Sequence, residues 1–167
     1  YHSGATSYTS YYDDFSIRQD INCMKNYGLE NAGSKWVLET HFSISSEQKK
    51  TGLYSLKVSG ISDNCNAYQF VSVQANTNYT FSFYGKCNAS STYKVLSGDW
   101  NINITGDLAV SNNNMWTKYS VDFNSGNNTT IAIVIVHCGS VSYTSYYDEF
   151  SIERKYNNNL ATNGNSS

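Results

Sequence analysis

Few side chains in this sequence are equipped for chemistry. Its 167 residues carry 13 acids, 3 histidines and 4 cysteines. One acid is marked out by its neighbours. In Tyr146-Tyr147-Asp148-Glu149-Phe150-Ser151-Ile152, strict alternation puts Asp148 on one strand face with Tyr146, Phe150 and Ile152. That apolar face is the one expected to be buried. A carboxylate removed from water is costly unless it meets a cation or several donors, and no basic residue shares its face. A hard cation with oxygen ligands, calcium above all, is one expectation. A carboxylate at the sheet edge, bonded to backbone N–H groups, is the other. No Gly-x-Ser-x-Gly, His-Glu-x-x-His or P-loop pattern occurs, and a glycosidase needs two carboxylates facing each other across a cleft. The unit reads as non-enzymatic. Cys23, Cys65, Cys87 and Cys138 lack the Cys-x-x-Cys spacing of zinc sites and allow two disulfides in three connectivities.

The elements that must position these groups read as strands, because apolar residues alternate with period two. Tyr79, Phe81, Phe83 and Cys87 fall on one face of their segment, with Thr80, Ser82, Tyr84 and Lys86 on the other. Tyr54, Leu56 and Val58 point inward, as do Tyr119, Val121 and Phe123. Val71 and Val73 face one side while Tyr68 and Phe70 face the other. Thr129–Cys138 is apolar on both faces, as a central strand covered on two sides would be. Polar clusters at 61–66, 75–78, 88–92, 111–114 and 124–128 separate the runs. The expected class is all-β, a sandwich of two antiparallel sheets.

A repeat sets the domain boundaries. Residues 1–17 match 136–152, with Ser7–Asp13 identical to Ser142–Asp148 and Phe15–Ile17 to Phe150–Ile152. The spacing of 135 residues suits a whole domain rather than a solenoid turn. The division is therefore 1–17 as the closing strand of a preceding repeat, 18–153 as one complete unit, and 154–167 as a linker and the start of the next. A net charge of −2 supplies no field for nucleic acid, and no apolar run approaches the roughly 18 residues of a membrane span. The polar, nearly uncharged composition suits a secreted or cell-surface protein. Sequons begin at Asn78, Asn88, Asn103, Asn127, Asn128 and Asn165.

The order of motifs resembles the carbohydrate-binding modules of families 4, 9, 16 and 22. They run Asn26-Tyr27-Gly28-Leu29-Glu30, then Trp36, then "GLYSLKV" at 52–58, "QFVSVQANTNYTFSFYGK" at 69–86, "WTKYSVDF" at 116–123 and the closing "YYDEFSI". The resemblance implies a β-jelly roll and a structural calcium held by Glu30, Asp148 and a main-chain carbonyl near Thr51, with Asn31 as a further candidate. It also implies binding of a polysaccharide or glycan chain. Such a site needs aromatic rings for the C–H faces of sugars and polar neighbours for their hydroxyls. The expected set is Tyr68, Gln69, Tyr84, Tyr93, Trp100 and His137. Neighbouring repeats would act together on a polymer by avidity. The competing expectation is a structural repeat of a surface layer, appendage or filament, in which residues 1–17 complete another subunit's sheet by strand addition, a form of homo-assembly.

Overall fold

A computed structural model of the chain describes residues 22–25 and 27–156, with 61–63 and 138–142 described as backbone only. The flanking expectations for 1–17 and for the tail beyond 156 lie outside the described residues. Eight strands and no helix occur among them: β1 (Val37–Leu38), β2 (Phe42–Ser45), β3 (Ser55–Ser72), β4 (Asn78–Lys86), β5 (Ser91–Ser97), β6 (Leu108–Val110), β7 (Thr117–Asn124) and β8 (Thr130–Arg154).

Two of these strands serve both layers. β3 runs 18 residues and β8 runs 25, and they pair antiparallel with each other along both halves. The Cys65–Ser72 half of β3 and the Thr130–His137 half of β8 join β1, β5 and β6. The Ser55–Gly60 half of β3 and the Tyr143–Arg154 half of β8 join β2, β4 and β7. The result is a first sheet in the order β1-β3-β8-β5-β6 and a second in the order β2-β3-β8-β4-β7. This is the expected two-layer antiparallel sandwich.

The 61–66 segment, read from sequence as a break, is continuous strand. Register shifts between Gly60 and Ser62 and between Ser62 and Cys65 bend β3 from one sheet into the other. Gly60 adopts a φ of 141°, and a Cβ there would lie 2.5 Å from His41 Nδ1. Likewise, the central and closing strands expected in 129–152 are one strand.

Inward residues of the two layers interdigitate. Phe81, Phe83, Leu56, Val58, Val95, Ile131, Ile133, Phe150 and Ile152 are all fully enclosed. Each such side chain stabilises by about 1.5–3 kcal/mol relative to exposure. Trp36 also packs inward, its ring 4.5 Å from that of Phe150. The chain's beginning is latched beside β8: Asn22 accepts from Ile152 N and donates to Phe150 O, and Cys23 N donates to Ile152 O.

The closing half of β8 departs from simple alternation. Glu149 has a φ of 55°, and Glu149 and Phe150 together oppose Phe83 alone. This β-bulge switches the faces. Before it, Tyr147 points into the core while Tyr146 and Asp148 point outward; after it, Phe150 and Ile152 point in. The expected sharing of one inner face by Tyr146, Asp148, Phe150 and Ile152 is thus corrected. Asp148 lies on the outer side of the second sheet, yet it is fully enclosed because the 46–51 loop covers it.

Candidate functional site

On the outward face of the first sheet the register lines up Tyr68 and Phe70 of β3, Ala132, Val134 and Val136 of β8, and Thr92, Lys94 and Leu96 of β5. Leu96, Ala132, Val134 and Val136 form a small buried cluster apart from the main core, with Tyr68 packed against it. β8 is central here, so both of its faces are apolar, as its sequence predicted.

Tyr68 is the hub of three rings. Its centroid lies 4.9 Å from Trp100 at 88° and 5.6 Å from Phe70 at 80°. Phe70 and Trp100 are 6.2 Å apart at 82°. These edge-to-face contacts suit the charge distribution of aromatic rings. Phe70 is nonetheless 48 % exposed and Trp100 41 %, with Val37 and Ile102 also exposed. Side chains this apolar gathered at the surface mark a binding face.

The Trp100 loop is held by its own polar net. Trp100 has a φ of 66°, and its N–H donates to Ser97 O at 2.9 Å. The Ser97 hydroxyl donates to Asp99 Oδ1 at 2.5 Å and accepts from Ile102 N at 2.9 Å. Asn101 donates to both Asp99 oxygens. The Ser97 hydroxyl, then Asn101, hold the Asp99 carboxyl below its usual range. At the rim, Lys94 Nζ meets Asp107 Oδ1 at 3.0 Å and Asn103 donates to the same oxygen. Lys94 draws the Asp107 carboxyl downward.

Of the six residues expected at a glycan site, the structure brings Tyr68 and Trp100 together. Three belong to the core side. Gln69, between Tyr68 and Phe70, alternates inward and is 1 % exposed; its side-chain amide donates to Lys25 O and accepts from Lys25 N. Tyr93 pairs with Ile135 and stacks edge-on to Phe83 at 5.0 Å, and burial raises its hydroxyl pKa. His137 is fully enclosed with its ring 3.4 Å from that of Tyr143, and no described group bonds either ring nitrogen. Burial pushes it down to about 4. Tyr84 is accessible but lies on the outward face of the second sheet, on the other side of the sandwich. Phe70 is the ring absent from the expected set, although its i, i+2 spacing from Tyr68 put it on the same face.

The expected metal residues meet around one loop. Asp148 Oδ2 accepts from Lys50 N at 2.8 Å and Thr51 N at 3.2 Å, and Oδ1 accepts from Glu149 N at 2.8 Å. Burial raises the Asp148 pKa, and these three amides oppose the shift. Glu30 accepts from Leu53 N at 2.9 Å and Tyr54 N at 3.2 Å. The Thr51 hydroxyl donates to Glu149. Thr51 therefore presents its N–H to Asp148. Among the described residues, no three His, Cys, Asp or Glu side chains are grouped to hold a metal by themselves. The two carboxylates thus grip adjacent stretches of one loop through its main-chain N–H groups.

Residues 22–145 match the Carbohydrate binding domain family, CBM_4_9. No curated protein matches the chain in sequence. Among solved structures, it resembles a family 61 carbohydrate-binding module in complex with β-1,4-galactotriose, at 16 % identity and a TM-score of 0.65, over 81 % of this chain and 99 % of that one. It also resembles the xylan-binding domain from Paenibacillus barcinonensis Xyn10C, at 16 % identity and 0.59, over 77 % and 91 %. The enzymatically active domain of bacteriophage CBA120 tailspike protein 4 aligns at 12 % identity and 0.67, over 81 % of this chain but only 22 % of that one. These likenesses show the jelly-roll sandwich, and the family match covers most of the chain: the chain belongs to the Carbohydrate binding domain family.

Proposed function

We propose that this chain is a non-catalytic module that binds a polysaccharide or glycan chain across Tyr68, Phe70 and Trp100. The observation that carries this reading is the exposed three-ring cluster on a sheet face, standing on its own apolar floor. Rings fixed in advance lose little freedom when a sugar settles on them, which favours affinity. Thr92, Lys94, Asn103 and Asp107 supply hydroxyl partners at the rim. The family match and the rings together favour glycan binding over the filament reading. We place the module in a secreted or surface protein with further modules.

We assign a structural calcium to Glu30, Asp148 and main-chain oxygen of the 50–54 loop. The support is a fully enclosed carboxylate that accepts hydrogen bonds from the same loop as a second one. The ion would fasten that loop to β8 and take no part in sugar contact.

Affinity electrophoresis through gels of β-1,4-linked xylan, galactan and glucan tests the binding reading. Retardation by at least one polymer, abolished in Trp100→Ala and Tyr68→Ala, is expected. Retardation that persists in both variants would overturn the assignment of the site. None by any polymer across a broad panel would overturn the function.

A further inference from the structure

The outward face of the second sheet carries a different surface. Ser82, Tyr84 and Lys86 of β4 alternate outward, as do Lys118 and Ser120 of β7, and Tyr84 pairs with Lys118. Trp116, half-buried, precedes Thr117, the partner of Gly85. The 46–51 loop flanks the strip on the β8 side. Gln48 accepts from Lys86 Nζ at 2.9 Å, and Lys50 Nζ sits 4.9 Å from the centre of the Tyr84 ring. Lysines 50, 86 and 118 thus surround one tyrosine.

Other lysines of this face are neutralised, Lys57 by Glu47 at 2.6 Å and Lys155 by Asp122 at 2.5 Å. Lys50, Lys86 and Lys118 have no carboxylate within 4.0 Å among the described residues. The acids beside the strip are engaged: Asp148 is fully enclosed and takes three amides, and Glu149 takes the Thr51 hydroxyl. In a chain of net charge −2, this is a local reversal of sign.

We propose that this strip is a second binding surface, for an acidic polysaccharide whose sugars carry carboxylates. Tyr84 and Trp116 offer ring surface to the sugar, and Lys50, Lys86 and Lys118 meet its carboxylates. The strip shares no residue with the Tyr68–Phe70–Trp100 face and lies on the opposite layer. One module can then hold an acidic chain on one side and another glycan on the other, cross-linking two polymers.

Affinity electrophoresis of the full chain through hyaluronan, a uronate-bearing polymer, tests this. Retardation at low ionic strength is expected, falling about tenfold at 0.5 M salt, where screening acts over only a few ångströms. The Lys50→Gln/Lys118→Gln pair and Tyr84→Ala should each weaken it about tenfold. The Lys25→Gln/Lys35→Gln pair changes net charge equally but lies off the strip, and should retain it. Trp100→Ala, which removes binding at the first face, should retain it as well. Absence of retardation, equal loss in the two lysine pairs, or loss in Trp100→Ala would each overturn the proposal. So would retardation by dextran sulfate with none by hyaluronan.

Discussion

Replacing Asp148 with alanine removes a carboxylate that accepts three backbone N–H bonds at 2.8, 3.2 and 2.8 Å. A hydrogen bond to a charged group contributes about 1.5–3 kcal/mol. Lys50 and Thr51 are exposed, so water can satisfy their amides after the change, and only part of two of the three contributions is lost. The expected destabilisation is about 2–4 kcal/mol. In a chain of this size that lowers the melting temperature by roughly 5–12 °C. Fluorescence-monitored melting at pH 7 measures it, and a variant melting within about 1 °C of the parent would refute the clasp. Asp148→Asn then tests the cation. Burial raises the Asp148 pKa without an ion, so folding favours its protonated form. Its contribution is complete below the unfolded pKa, near 3.8, and is lost as pH rises through the folded value. In chelator, the stability of the parent relative to Asp148→Asn should therefore fall as pH rises from 4 to 7. Millimolar calcium should reverse that slope, because the ion favours the charged carboxylate. An unchanged slope would remove the calcium assignment.

Trp100→Ala should weaken glycan binding about 30-fold, near the 2 kcal/mol typical of an aromatic anchor, while melting shifts by less than about 2 °C because the ring is 41 % exposed; titration calorimetry and melting check both. Asp99→Ala frees the Trp100 loop and should cost about fivefold in affinity by raising the ordering cost, with little change in melting. Its lowered pKa means that its contribution is present above about 3.8 and lost as pH falls through the folded value, so affinity should hold down to about pH 4. His137, pushed from 6.5 to about 4, binds its proton later in the folded than in the unfolded chain. Stability should consequently drop by up to about 3 kcal/mol as pH falls from 6.5 to 4, and His137→Phe should abolish that drop in denaturant titrations at stepped pH.

The alternation in "NYTFSFYGK" and "WTKYSVDF" was enough to sort inward from outward residues, because β4 and β7 keep their pleat throughout. "YYDEFSI" misled for a local reason. One left-handed residue, Glu149, carries no sequence signal, since glutamate at positive φ is held by its surroundings rather than its own preference. The Asn/Ser cluster at 61–66 resembled a turn because bends within a long strand and turns between strands use the same small polar residues. Tyr68 and Trp100 were legible as exposed rings, but their meeting depends on a loop that folds back over two strands. Gln69 and Tyr93 failed for the opposite reason: polar atoms suggested surface, whereas alternation put both side chains inside. His137 was misplaced by its polarity too, although it continues the inward series of Ile131, Ile133 and Ile135.

Because β8 is one strand shared by both sheets, the clasp and the ring cluster are covalently continuous but need not be coupled. The ring cluster stands on Ala132, Val134 and Val136, whose half of β8 is pinned between β3 and β5 and anchored inward by Ile131, Ile133 and Ile135. Asp148 lies beyond the bend, where the 46–51 loop covers β8. Local opening follows the contacts that each segment makes. Loss of the clasp should accordingly loosen the loop and the outer half of β8 while leaving the first sheet intact. In Asp148→Ala, amide hydrogen exchange should accelerate at least tenfold in 46–54 and 146–152 and stay unchanged in 131–136. Affinity for a glycan on the Trp100 face should match the parent at 25 °C. A parallel loss of affinity and of protection in 131–136 would show that β8 transmits strain through its bend, and that the Asp148 end of the module tunes its ring-bearing face.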